Sequence, residues 1–176
     1  LLFFENVKHI ENKTFLKELK DAHGLINLGL QVDETLLQYA PNLKIVSNVS
    51  VGYNNLDIEA LTNREIMATN TPDVLTDTVA DAIFGLLIAT ARRIPELDHY
   101  VKARQWKGDL TAEQYGVDVH HQTIGIIGMG NIGQAIAHRA HHGFHMNVLY
   151  YSRTKKPEAE ENYNAQYRDL DDLLKE

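Results

Sequence analysis

The chain contains no cysteine. Disulfides, thiolate nucleophiles and cysteine-ligated metals are therefore excluded, and a reducing compartment, the cytoplasm, is the expectation. A basic excess is missing too. There are 17 Lys and Arg against 24 Asp and Glu, a formal net charge of -7, so no nucleic-acid-binding face is expected. Long apolar runs are absent. The longest, 82–91, falls well short of the roughly 20 residues that span a bilayer, so no membrane partner is expected. The opening Leu1-Leu2-Phe3-Phe4 has no basic segment before it and Glu5 after it, unlike a signal peptide. The chain does not open on Met and reads as a piece of a longer protein. There is no internal repeat and no low-complexity tract.

What is present suits a folded domain or two. Of 176 residues, 44% are hydrophobic and 23% charged, which is enough apolar material for a core. Short apolar stretches alternate with amphipathic ones. Strands are expected at 24–29, 43–49 and 66–69, and helices at 14–21, 33–39 and 57–64, with Asp33 and Asp57 as N-caps. Strand–helix alternation implies a parallel sheet with helices on its faces, here a flavodoxin-like α/β domain.

A long helix is expected over 76–93, headed by Thr76 or Asp77. Its middle is apolar on every side, so it should be buried all round, between domains and against a partner subunit. Pro95 opens a further helix to about 106, and 107–119 is polar and loop-like. The remainder is a single βαβ unit: strand 123–127, helix 131–142, strand 147–151, then helices at 157–163 and 170–175.

Between that first strand and helix stands Gly128-Met129-Gly130-Asn131-Ile132-Gly133. GxGxxG alone is weak, but a buried strand before it and an amphipathic helix after it make a dinucleotide-binding loop the better reading than a ligand-free turn. Gly128 allows the tight turn, Gly130 lets backbone approach a pyrophosphate, and Gly133 lets the helix pack on the strand. The first-turn amides of Asn131, Ile132 and Gly133, with the helix dipole, face the phosphates. About 20 residues on, an NAD site carries an acidic residue for the ribose hydroxyls. Here Ser152-Arg153-Thr154-Lys155-Lys156 stands there, with no carboxylate until Glu158. An Arg fork binds a 2′-phosphate, and Ser152 and Thr154 can donate to it, so NADP(H) is the expected cofactor rather than NAD(H). The competing reading of 152–156 is a solvated basic loop.

His138 and His142 have i, i+4 spacing, and His120-His121 and His141-His142 are pairs. With no cysteine and no carboxylate at a matching helical spacing, they read as solvated helix-face residues, and no metal is expected. Asp169, Asp171 and Asp172 do not match a calcium loop.

The series Ser50-Val51-Gly52-Tyr53-Asn54-Asn55-Leu56-Asp57, then the stretch from Asn70-Thr71-Pro72 to Val79-Ala80-Asp81, then the glycine loop, resembles the D-isomer-specific 2-hydroxyacid dehydrogenase family over essentially the whole chain. Asp118-Val119-His120-His121 and Glu160-Glu161-Asn162-Tyr163-Asn164-Ala165 resemble its bacterial glyoxylate/hydroxypyruvate reductase B group. The resemblance implies a partial substrate-binding domain over 1–75, linking and dimerisation helices over 76–105, and the first half of a Rossmann doubly wound coenzyme domain over 106–176. It implies a homodimer, a small 2-keto acid substrate, and NADPH-dependent reduction to the D-2-hydroxy acid. Val51 and Gly52 match the loop whose amides hold the substrate carboxylate, a nest of free N–H groups. Leu75 matches a position lining the substrate pocket, and Val79 one beside the nicotinamide. The family's catalytic Arg, Glu and His match no position here and are expected beyond Glu176. The stretch after Gly128 is also too short for a complete six-stranded fold, so this piece alone is expected to be inactive. The rival readings are a non-catalytic cofactor-binding or dimerisation module, and another dehydrogenase branch acting on formate or phosphoglycerate.

Overall fold

The computed structural model describes residues 1–5, 7, 9–109 and 111–176, with His9 described by its backbone alone. Leu110, inside the expected loop at 107–119, lies outside the described residues. The chain divides into two compact units, Leu1–Leu75 and Thr76–Glu176.

In the first unit, α1 (Lys13–Leu19) leads into β1 (Gly24–Asn27), α2 (Glu34–Leu37), β2 (Ile45–Asn48), α3 (Ile58–Asn63) and β3 (Met67–Thr69). The strands form a parallel sheet in the order β1-β2-β3, with Leu25 opposite Val46 and Val46 opposite Ala68. The helices start where the side chains dictate. Asp33 accepts from the Leu36 amide at 3.0 Å and Asp57 from the Ala60 amide at 2.9 Å, each satisfying a donor that the helix leaves unpaired. Asn12 does the same for α1 through the Phe15 amide at 3.0 Å. Phe15, Leu19, Val32, Leu36, Leu37, Val46 and Leu61 make the core.

The second unit opens with α4 (Thr76–Ala91) and α5 (Ile94–Lys102), which has Pro95 in its first turn. A 3-10 turn, Ala112–Gln114, interrupts the expected loop. Then come β4 (Thr123–Ile127), α6 (Asn131–His138), β5 (Asn147–Tyr151), α7 (Pro157–Tyr163), β6 (Gln166–Tyr167) and α8 (Leu170–Leu173). The sheet is parallel in the order β4-β5-β6. That arrangement is one mononucleotide half of a doubly wound fold. Ala80, Phe84, Ile126, Met129, Ile136, Ala137, Val148 and Tyr150 form its core.

Two expectations need correction, on the helix after the glycine loop and on the last βαβ unit. In the long helix α4 one face is covered within the chain, and the full burial expected of it includes a partner subunit. Ala80 and Phe84 are covered, while Ile83 is 39% and Leu86 68% exposed. Within one chain only the face that packs on α6 is covered, although apolar residues occupy every face. The helix after the glycine loop does not stay α to residue 142. It passes into a π turn, Arg139–Gly143. The last part is more than a single βαβ unit, because β6 adds a third strand too short to show a period. Among the described residues no helix is long and apolar enough to cross a membrane.

Candidate functional site

The glycine loop leaves the C-terminal end of β4. The Gly128 amide donates to the Tyr151 carbonyl at 2.8 Å, tying the turn to the end of β5. Gly128 has φ +98°, a backbone region that only glycine enters freely. Gly133 is buried in the first turn of α6. A Cβ there would lie well inside van der Waals distance of the Gly128 oxygen and 3.1 Å from the Gly128 carbonyl carbon. Gly130 differs, since no protein atom lies within 4 Å of the Cβ it lacks. Its bareness is not demanded by packing, and it leaves an open approach to the backbone, as a bound diphosphate requires.

The first hydrogen bond running up α6 goes from the Gln134 amide to the Gly130 carbonyl, at 2.8 Å. The amides of Ile132 and Gly133, ahead of it, make no hydrogen bond among the described residues. Asn131 is exposed at the same end. This is a helix head with donors presented and its positive dipole end open. The residues fit a nicotinamide dinucleotide on the glycine pattern and on these donors.

Arg153 sits in the loop after β5, exposed, with no hydrogen bond or ion pair to a described residue. Thr154 is exposed beside it. Ser152 directs its single hydroxyl hydrogen at the Thr154 carbonyl, 2.5 Å away. In this conformation it can accept a hydrogen bond but not donate one, which qualifies its expected role. Lys155 Nζ lies 5.2 Å from the centre of the Tyr167 ring, in cation–π range.

Sequence reading missed what holds this loop. Tyr150, fully buried on β5, donates its phenol hydrogen to Glu160 Oε1 on α7 at 2.8 Å and accepts from the Lys156 amide at 2.7 Å. Burial, reinforced by the Glu160 carboxylate and opposed by the Lys156 amide, holds the phenol above the usual tyrosine range. The available signal is a tyrosine one residue from the end of an apolar strand, whose buried hydroxyl must find a partner.

In the first unit, Val51 and Gly52 lie in the loop after β2, both exposed. Its carbonyls are pinned in turn. Ser50 accepts from the Thr71 amide at 3.0 Å, Val51 from Asn70 Nδ2 at 2.9 Å, and Gly52 from Asn48 Nδ2 at 2.9 Å. Every peptide bond here is trans, so each following N–H points away from the pinned carbonyl. The amides of Val51, Gly52 and Tyr53 make no hydrogen bond among the described residues. Successive free amides form an anion-binding surface. Leu75 is 47% exposed at the end of this unit. Val79 is half-buried in the first turn of α4. The structure thus brings Val51 and Gly52 together in one unit, and Gly128, Gly130, Asn131, Ile132 and Gly133 in the other.

His138 and His142 are exposed on their helix face, as expected of solvated residues. The rings of His138 and His142 lie 4.8 Å apart, and both meet Tyr163 edge-on, at 5.9 and 6.0 Å. Among the described residues no group of three or more His, Asp or Glu could hold a metal.

A parallel β4-β5-β6 sheet with a glycine turn at a helix head defines a Rossmann-type dinucleotide-binding fold. Residues 84–176 match the model of the D-isomer specific 2-hydroxyacid dehydrogenase, NAD binding domain, and the chain belongs to this family. It is 51% identical over 158 residues to the glyoxylate/hydroxypyruvate reductase B of Serratia proteamaculans, covering 90% of this chain and 49% of that protein. The chain thus spans about half the length of the curated relatives it matches. The TT0316 protein of Thermus thermophilus superposes with a TM-score of 0.83 at 37% identity, covering 100% of this chain and 53% of its own. The D-lactate dehydrogenase of Aquifex aeolicus, complexed with NAD and lactic acid, gives 0.83 at 29% identity, covering 92% of this chain and 47% of its own.

Proposed function

We propose that the full-length protein reduces a small 2-oxo acid (glyoxylate, hydroxypyruvate or 2-ketogluconate) to the D-2-hydroxy acid with NADPH. One observation carries this reading: a helix head with free amides adjoins an open glycine turn, and the loop after the neighbouring strand carries exposed, unpaired Arg153. The name of the Serratia relative supports the substrate class.

When bound, the cofactor supplies the hydride. The amides of Ile132 and Gly133 would hold its diphosphate at the head of α6, where Asn131 also stands, with Gly128 shaping the turn and Gly130 leaving the approach open. Arg153, with Thr154 and with Ser152 once its hydroxyl turns from the Thr154 carbonyl, receives the 2′-phosphate, a dianionic group that a guanidinium fork matches and an acidic residue would repel. Val79 flanks the nicotinamide. The amides of Val51 and Gly52 receive the substrate carboxylate, and Leu75 lines its apolar side. Fixing both reactants by rigid backbone removes much of the entropic barrier to their encounter. Residues 1–75 act as the substrate-binding domain, 76–105 as linking and dimerisation helices, and 106–176 as the first part of the NADP-binding domain. Polarisation of the keto group and proton transfer fall to the family's Arg, Glu and His, outside residues 1–176. The protein works as a cytoplasmic homodimer, a reading supported by the uncovered Ile83 and Leu86 on α4.

The test is a steady-state assay of the full-length protein with glyoxylate, hydroxypyruvate and 2-ketogluconate, each with NADPH and with NADH. Turnover with NADPH at the higher kcat/KM is expected. No turnover, or preference for NADH, contradicts the reading.

A further inference from the structure

Asn48 ends β2, 2% exposed, opposite Asn27, 3% exposed, at the end of β1. Two asparagines side by side at the buried ends of neighbouring strands are costly unless every polar atom is paired. Here they are paired in one direction only. Asn48 Oδ1 accepts from Asn27 Nδ2 at 3.2 Å and from Asn55 Nδ2 at 3.1 Å. Those donors fix the orientation of the amide. Its Nδ2 therefore faces Ser50 Oγ at 2.6 Å, the Gly52 carbonyl at 2.9 Å and Asn55 Oδ1 at 3.2 Å. Asn27 is locked in turn, donating to the Leu30 carbonyl and accepting from the Leu30 amide, both at 2.9 Å. Ser50 Oγ adds a second donor to the Gly52 carbonyl at 2.5 Å.

Stability alone does not call for this arrangement, since apolar residues at both strand ends would pack without the desolvation cost. What the network does is specify a loop. It turns the Gly52 carbonyl inward, and the planar peptide then leaves the Tyr53 N–H free, next to the free N–H groups of Val51 and Gly52.

We propose that Asn48 is a positioning residue that presets this loop to receive the carboxylate of the 2-oxo acid. The proposal rests on the reading above that the loop is the carboxylate site. Asn48→Asp keeps the shape and the acceptor for Asn27 and Asn55, but sets a second acceptor against the Gly52 carbonyl. In the full-length protein it raises KM for the 2-oxo acid, and the inhibition constant of oxamate, by about tenfold or more. The kcat and the Kd of NADPH stay within about twofold of wild type, because the lost interaction is one of substrate binding. Ser50→Ala, which removes only one of two donors to Gly52, raises the same two constants by about threefold and serves if Asn48→Asp does not fold. A variant that lowers kcat or weakens NADPH while leaving KM and oxamate unchanged shows a merely structural role and overturns the proposal. Wild-type protein that neither reduces 2-oxo acids nor binds oxamate overturns the reading of the loop, and the proposal with it. Oxamate binding that is equal in wild type and both variants overturns the proposal alone.

Discussion

Tyr150 and Glu160 are joined by a hydrogen bond of 2.8 Å that runs from a fully buried phenol on β5 to a carboxylate on α7. The same phenol oxygen accepts the Lys156 amide at 2.7 Å, so one hydroxyl closes the loop that carries Ser152, Arg153 and Thr154. Tyr150→Phe leaves Lys156 N–H and Glu160 without this partner. We expect a loss of about 1–3 kcal/mol in unfolding free energy, measured by denaturant titration. NADPH affinity should fall several-fold, because Arg153 is no longer held.

The phenol also gives a pH signature. Its folded-state pKa is raised, chiefly by burial and then by Glu160, above an unfolded value of about 10. A raised pKa favours the protonated form in the fold. The corresponding stability is complete below about pH 10 and is lost as pH rises through the folded value. The stability difference between wild type and Tyr150→Phe should therefore shrink on going from neutral to strongly alkaline pH. A constant difference would show that folding does not raise the pKa of the phenol.

Gly130 and Gly133 separate ligand binding from packing. Gly130→Ala meets no protein atom within 4 Å, and its backbone is extended, at φ -84° and ψ -164°. Its stability should stay within about 1 kcal/mol of wild type, while NADPH binding is lost. Gly133→Ala drives a methyl into the Gly128 carbonyl and should destabilise by about 1–3 kcal/mol or more. Thermal unfolding beside NADPH titration distinguishes the two.

The outer face of α4 bears on assembly. Leu86 is 68% exposed on a helix that is apolar on every side. Leu86→Asp should turn a homodimer of the full-length protein into a monomer in sedimentation. Wild-type protein that already sediments as a monomer would remove the role assigned to this face.

Much of this is legible in the sequence because local rules and tertiary context agree. Asp33 and Asp57 cap helices where caps are expected, and Pro95 opens α5. The glycine spacing is readable because Gly133 must pack and Gly128 must turn. What is not legible depends on contacts across chain distance. The link from Tyr150 to Glu160 spans a loop, and the Asn27, Asn48 and Asn55 network joins three separate segments. A polar residue ending each of two paired apolar strands is the signal that finds it. The apolar ring around α4 shows that periodicity reports what a helix can bury, and one chain covers only one face of it.

The most direct measurement is the equilibrium affinity of the full-length protein for NADPH and for NADH, repeated with Arg153→Ala. NADPH should bind at least about tenfold tighter than NADH, and the substitution should remove that difference by weakening NADPH alone. NADH binding as tightly as NADPH, or an Arg153→Ala variant that keeps the preference, would contradict a 2′-phosphate site at the end of β5.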